Sequence, residues 1–424
     1  MATAFGVGYA DQTLTNGEVQ HVCEQAFAGR DFKGKRVLVI LPDLTRTAPI
    51  DLMFRTVYGL LAGKVGRLDF VIALGTHQPL SDERIDQLVG MRPGERHSKY
   101  RRSRFFNHMW DSPGQLKQIG TISEEEVAEI SGGLMREAVD IRINKVIFEY
   151  DILMVIGPTF PHEVVGFSGG NKYFFPGIAG QEIINMFHWL GALITSPRII
   201  GNKYTPVRAV VDKAASFIPM EKMCLSLVVK KGELAGLYIG SPEEAWSAAS
   251  DLSDKLHIVY KDKPFRKVVA VCPTMYEDLW TGGKCMYKLE PVIADDGELL
   301  IYAPHITEVS VTHGQTIERI GYHVRDYFVQ QMDRFAGVAR GVMAHSTHVR
   351  GVGTYENGIE RPRVDVVLAS QISEERCRAI NLGYRDPGKV DLREWQGREE
   401  EGILFVPKAG EMLYRLKDDP FKRN

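Results

Sequence analysis

The chain has few cysteines, no excess of charge of either sign and no long apolar run, and each shortage removes a class of protein. Its five cysteines (Cys23, Cys224, Cys272, Cys285, Cys377) are scattered over 424 residues with no CxxC pair. Neither a disulfide framework nor a zinc ribbon is expected, and reduced thiols fit the cytoplasm. The 52 basic and 54 acidic side chains leave a formal charge of -2, so nothing resembles the polybasic footprint of a nucleic-acid or anionic-membrane binder. No stretch reaches the roughly 18 apolar residues of a membrane span, and the opening MATAFGVGYADQTL lacks the basic start and apolar run of a secretory signal. The expected setting is the cytoplasm, and the expected partner is a small molecule rather than nucleic acid or membrane. Walker A spacing, a GxGxxG helix opening and HExxH are also missing, which counts against ATP, NAD and a closed zinc site.

At 44% apolar composition the chain can bury a large core, and it exceeds the length at which one core usually divides. Short β-branched runs recur at 36–42, 68–74, 151–157, 267–273, 298–304 and 364–370, with amphipathic stretches at 51–62, 181–194, 205–217 and 243–256 between them. That alternation predicts α/β: two α/β domains with mostly parallel sheets and an active-site cleft between them. The charged, proline-bearing VYKDKPFRK (259–267) suggests a division into 1–257, binding the cofactor, and 258–424, with the last helix-like stretch able to pack back on the first domain. Functional groups are expected on loops at the carboxyl ends of strands, where open α/β sheets place ligands. The basic, aromatic segment 95–110 reads as a solvated helix or loop covering the site.

The richest stretch is PHEVVGFSGGNKYFFPGIAGQEIINMFH, residues 161–188. Its GFSGG loop sets Ser168, Gly169 and Gly170 where main-chain N–H groups can approach an anion without obstruction by Cβ atoms. Lys172 follows, flanked by aromatic residues that could desolvate an ammonium; the residues alone leave a phosphate-binding lysine and a covalent one both open. His77, His162 and His188 stand where strands or glycine loops end, and imidazole serves as metal ligand or as a base near neutral pH. DLTR (43–46) offers Asp43 for hydroxyls and Arg46 for a carboxylate, or a local ion pair. In WTGGK (280–284), Lys284 can reach a ligand or lie on the surface.

Together DLTRTAP, GTHQPLS, H-x3-GFSGG-x-K-x3-PGIAG-x7-H and WTGGK resemble the lactate racemase family, in order and spacing, from Asp43 to Lys284. The resemblance implies a nickel-pincer nucleotide, a pyridinium-3,5-bisthiocarboxylic acid mononucleotide, attached to Lys172 with its nickel held by His188. It further implies that His77 and His162 are acid–base groups on opposite faces of a 2-hydroxy acid. Arg46 and Lys284 would orient the substrate carboxylate and Asp43 would contact the cofactor; the chemistry of the glycine loop itself points to Ser168, Gly169 and Gly170 for the cofactor's phosphate. Reversible hydride transfer through a 2-keto acid would invert C2, and cofactor-synthesis enzymes would be partners. Nickel does not follow from spacing, since imidazole also suits zinc, copper and iron.

Members acting on lactate tend to carry glutamine where Thr281 stands here. With Trp280, Thr281, His345, His348 and Arg350 as substrate-lining groups, joined by Tyr355 and Asn357, the reading favours a larger hydroxylated acid, an aldonate 2-epimerase. Lactate racemase proper, a zinc-dependent hydrolase and a non-catalytic nucleotide-binding protein are the alternatives, and the oligomeric state stays open.

Overall fold

The computed structural model describes residues 4–75 and 77–421, so Thr76 of the GTHQPLS motif lies outside the described residues. Its contacts divide the chain into two compact units. The first runs to Phe160 and adds Phe167–Ile184 and Arg208–Leu256; the second comprises Pro161–Gly166, Asn185–Val207 and the chain from His257 onward. The short segments 161–166 and 185–207 thus group with the later half of the sequence.

Unit one is built on a seven-stranded sheet in the order Phe5–Gly8, Glu233–Gly240, Glu221–Lys230, Ile152–Pro158, Arg36–Pro42, Arg67–Ala73, Phe105–Asn107. The five strands from Glu221–Lys230 to Phe105–Asn107 are parallel, and an antiparallel pair closes one edge. The apolar runs of the sequence become these strands because a parallel sheet covered on both faces leaves no place for polar alternation. Val37 to Leu41 and Leu153 to Ile156 have no solvent exposure. Helices Asn16–Ala28 and Ile50–Leu61 bury Val19, Cys23, Met53, Phe54 and Val57 in the same core. The basic segment 95–110 runs as largely exposed turns up to Arg104. Its Phe105–Asn107 joins the sheet edge beside Arg67–Ala73, Arg96 pairs with Asp86, and Arg104 with the buried Asp69. Phe105 packs on the core at less cost than it stays in water, Arg104 lies over the Phe106 ring, and the cations find carboxylates on the way.

Unit two carries five parallel strands in the order Gly383–Tyr384, Val364–Ser370, Ile293–Ala303, Phe265–Val271, Ile403–Val406. The α/β class with mostly parallel sheets is therefore correct. The last element is a strand, not a helix: Leu413–Leu416 runs parallel to Ile258–Lys261 within unit two. Buried Arg415 fixes it by donating to the carbonyls of Ile200 and Pro197 and pairing with Asp419 at 2.6 Å. No helix among the described residues is long and apolar enough to cross a membrane.

Candidate functional site

In a parallel sheet all carboxyl ends lie along one edge, so loops from neighbouring strands meet there. Asp43 follows Pro42, where the ring ends the ladder for want of an N–H. His77 follows the adjacent strand Arg67–Ala73 after a tight turn closed by its own N–H on Leu74 O (2.9 Å). The two side chains meet: Nδ1 of His77 is hydrogen-bonded to Oδ2 of Asp43. Thr45 supplies two more donors to Asp43, its hydroxyl at 2.6 Å and its main-chain N–H at 3.1 Å. Burial alone would raise the Asp43 carboxyl, but the His77 hydrogen bond and charge, with Arg46 and Thr45, hold it well below the usual carboxylate range. It is therefore an anion at neutral pH. Because an ionised carboxylate only accepts, His77 keeps a ring proton on Nδ1, and in the neutral ring a bare Nε2 turns outward; the side chain is half exposed (49%). The resemblance puts Asp43 on a cofactor; in the structure both of its carboxylate oxygens meet side chains of this chain, Oδ2 that of His77 and Oδ1 that of Thr45.

The Lys172 segment belongs to this group. Gly75 N–H donates to Gly177 O at 3.0 Å, tying the His77 loop to it, and Tyr173 feels the charges of Arg46 and Asp43. Gly169 (φ 91°) and Gly170 (φ 59°) take left-handed conformations that other residues adopt at a cost. Their bare Cα atoms serve packing inside the unit. A Cβ on Gly169 would stand 2.6 Å from Thr159 Oγ1, and one on Gly170 2.8 Å from the Cβ of Trp246. Ser168 departs from its expected role: its hydroxyl accepts from Phe160 N (2.9 Å) and donates to Pro158 O (3.1 Å), so it is spent bracing the end of Ile152–Pro158. Arg208, which the sequence reading passed over, holds the same loop through the carbonyls of Phe167 and Gly169. Asn171 anchors it to Asp212 (2.9 Å) and Glu243 (2.6 Å). Lys172 itself is half buried.

Unit two gathers the remaining residues. His162 is 9% exposed, and its Nδ1 accepts the N–H of Val164 at 3.2 Å with Glu163 Oε2 3.5 Å away. His188 sits on the helix Gln181–Ile194, its ring stacked on Phe187 at 4.4 Å. The short turn Leu279–Gly282 is capped by Asp278, which accepts from Thr281 N at 3.0 Å, the turn Lys284–Tyr287 follows it directly through Gly283, and the two carry Trp280, Thr281 and Lys284. Lys284 Nζ lies 4.8 Å from the centre of the Tyr276 ring. Trp280 stacks on His345 with ring centres 3.7 Å apart and 21° between planes. His345 and His348 lie three residues apart on Arg340–Arg350, hence on one face of that helix.

Both imidazoles are buried and their Nε2 atoms have no hydrogen-bond partner. Burial, then the charges of His348, His313 and His188, holds His345 well below the normal imidazole range. His348 is pushed down to about 4, again mainly by burial. Arg350 does not join them. Five residues on from His345 it falls on another face, beside the charges of Glu360 and Asp365. Asn357 is an exposed residue at φ 52° in the Asn-Gly turn between Gly353–Glu356 and Ile359–Pro362, where it serves the hairpin. Tyr355 in the same hairpin packs on Tyr327. Among the described residues no group of three or more His, Cys, Asp or Glu side chains is arranged to hold a metal ion by itself.

Residues 20–199 match the profile of the lactate racemase N-terminal domain. The lactate racemase of Lactiplantibacillus plantarum is 28% identical over 169 residues, which is 39% of this chain and 35% of that protein, so the match spans about a third of the relative's length. A crystal structure of a protein from Thermotoga maritima is 33% identical, covers 97% of this chain and 100% of its own, and superposes with a TM-score of 0.87. The lactate racemase apoprotein of Thermoanaerobacterium thermosaccharolyticum shares the fold, with a TM-score of 0.71 at 17% identity, over 97% of this chain and 100% of that one.

Proposed function

Since the chain belongs to the lactate racemase family through its N-terminal domain, we propose that it is an isomerase that inverts C2 of a 2-hydroxy acid through a 2-keto acid, and that its substrate is a sugar acid of the aldonate class. The observation that carries the reading is the Asp43–His77 pair, an ionised carboxylate holding an imidazole in the tautomer of a base at the carboxyl end of a parallel sheet. A binding module needs no such pair.

His77 takes the hydroxyl proton of one enantiomer, and His162 serves the other face. Arg46 and Lys284 bind the substrate carboxylate, whose charge and planar shape suit a guanidinium fork and an ammonium. The family's nickel-pincer nucleotide is compatible with these residues. Lys172 would carry it, and His188, whose charge His345 and His348 sense, would bind its nickel. When bound, the group supplies a reversible acceptor for the hydrogen at C2. The groups of this chain then bind the acid, hold its oxygen in reach of an imidazole and move one proton at that oxygen.

The substrate class rests on unit two. His345 and His348 each bury an unpartnered ring nitrogen, which costs on the order of 1–3 kcal/mol unless a ligand hydroxyl meets it. The Trp280 indole stacked on His345 is a flat aromatic surface suited to a sugar chain, and Thr281 is shorter than the glutamine of members that act on lactate. A substrate bearing only a methyl group leaves both nitrogens unmet.

The test is protein prepared with nickel and the cofactor-synthesis enzymes, assayed on gluconate-type acids, lactate, malate and phenyllactate with intact mass measured in parallel. An adduct lost in Lys172→Ala, nickel lost in His188→Ala, and turnover of aldonates above lactate are expected. A preference for lactate that survives substitution of His345 and His348 removes the aldonate assignment, and metal-dependent hydrolysis without a lysine adduct removes the racemase.

A further inference from the structure

His77 and His162 differ at Nδ1. In His77 that nitrogen faces the Asp43 carboxylate and so carries the ring proton, leaving Nε2 free to accept. In His162 it accepts the main-chain N–H of Val164 at 3.2 Å. A backbone N–H only donates, so this nitrogen holds no proton, and in the neutral ring the proton sits on Nε2. A ring in that state can hold a substrate oxygen by donating to it, but it has no lone pair at Nε2 with which to take a proton. Giving up the Nε2 proton would leave an imidazolate, out of reach in water near neutral pH.

To act first as base and then as acid at Nε2, His162 must carry its proton on Nδ1. Val164 N–H then opposes it, donor against donor. Glu163 offers the acceptor. Its Oε2 lies 3.5 Å from the same Nδ1, beyond a formed hydrogen bond yet within a small side-chain turn of one. The two side chains are 11% and 20% exposed, so solvent screens their attraction only in part. The other titratable groups against this pair are His348, which senses the charge of Glu163, and buried Lys288, whose ammonium donates to Pro161 O at 2.5 Å.

We propose that Glu163 is the positioning carboxylate of His162, the counterpart of Asp43 at His77, and that it takes over Nδ1 from Val164 whenever the ring must exchange a proton at Nε2. On one step the substrate O–H bond breaks and an Nε2–H bond forms, giving an imidazolium whose charge Glu163 offsets. On the return step the Nε2–H bond breaks, the proton goes to the substrate oxygen, and the ring is neutral again. Nδ1–H stays on Glu163 throughout, and the ring neither gains nor loses electrons. The proposal rests on the acid–base reading of His162 given above.

The experiment is ¹⁵N-histidine NMR of the full chain without cofactor, with His162 assigned by its loss in His162→Gln. In Glu163→Gln the protonation midpoint of His162 falls by about 1 unit or more, because the neighbouring charge that favours imidazolium is gone, and Glu163→Asp restores part of the shift. In the loaded enzyme Glu163→Gln lowers kcat on the order of tenfold or more with KM nearly constant and the melting temperature unchanged. A His162 midpoint that stays at the wild-type value in Glu163→Gln overturns the proposal, as does unchanged kcat. A wild-type loaded enzyme with no turnover on any hydroxy acid sinks the racemase reading instead, and the NMR comparison still decides the part played by Glu163.

Discussion

Asp43 illustrates how one residue changes meaning once its neighbours are known. As a letter in DLTR it could meet a ribose, a cofactor or Arg46; in the structure its Oδ2 is taken by His77 and its Oδ1 by Thr45. Asp43→Asn keeps the shape and removes the charge, so the amide no longer enforces a proton on Nδ1 of His77. Turnover is expected to fall on the order of 10²–10⁴-fold in kcat, with cofactor loading by mass close to wild type. Loss of loading with an unaltered rate per loaded enzyme would return Asp43 to the cofactor. The histidine itself was legible in the sequence, since it follows a strand; its partner comes from another strand 34 residues away, a pairing that no local pattern contains.

At the scale of elements, strands and long helices followed from periodicity, whereas the short pieces that carry chemistry did not. Helix Gln181–Ile194 and strand Val364–Ser370 fall where the apolar pattern puts them. The turns Leu279–Gly282 and Lys284–Tyr287 are too short to show a period and depend on the Asp278 cap and on packing.

Two glycines give the element scale its tests. Gly170→Ala forces a Cβ at φ 59° to within 2.8 Å of Trp246 Cβ and 3.0 Å of Pro242 O. A loss on the order of 1–3 kcal/mol in urea unfolding is expected, together with loss of loading at Lys172. Wild-type stability would mean that the loop is free to shift. Gly283→Ala places a methyl 2.8 Å from Val349 Cγ2 and 3.4 Å from His345 Cε1, at a φ of -54° that any residue accepts. Here the backbone is content, and the strain falls on Val349, which lies on the same helix as His345 and must shift to admit the methyl. The Michaelis constant for an aldonate should rise several-fold while that for lactate barely moves, which steady-state kinetics on both acids can check.

Across the whole molecule, buried neutral histidines set the response to acid. Burial pushes His108 in unit one and His348 in unit two from the ordinary 6.5 down to about 4. Below 6.5 the unfolded chain takes up these protons and the folded chain does not. Each group therefore contributes stability that is full above 6.5 and declines as the pH falls toward 4, by about 1.4 kcal/mol per pH unit. Urea midpoints measured from pH 7.5 to 4.5 should drop most steeply below 6.5. His108→Gln, whose amide can keep a polar contact to Ala179 O, should flatten the slope, and an unchanged slope would show that His108 is protonated in the fold.

What the sequence determined by itself was the class of the fold and the roster of reactive groups. Continuous β-branched runs separated by amphipathic stretches leave little besides covered parallel sheets, and the spacing of the segment 161–188 carries its family resemblance without reference to any fold. What only the tertiary structure decided was which of those groups have partners. It spent the Ser168 hydroxyl on a strand end, set Asp43 on His77, and put Val164 and Glu163 at one nitrogen of His162. The reason is one of range. Secondary structure follows from periods of two and 3.6 along the chain, while a hydrogen bond or an ion pair forms over about 3 Å in space, between atoms that the fold alone brings together.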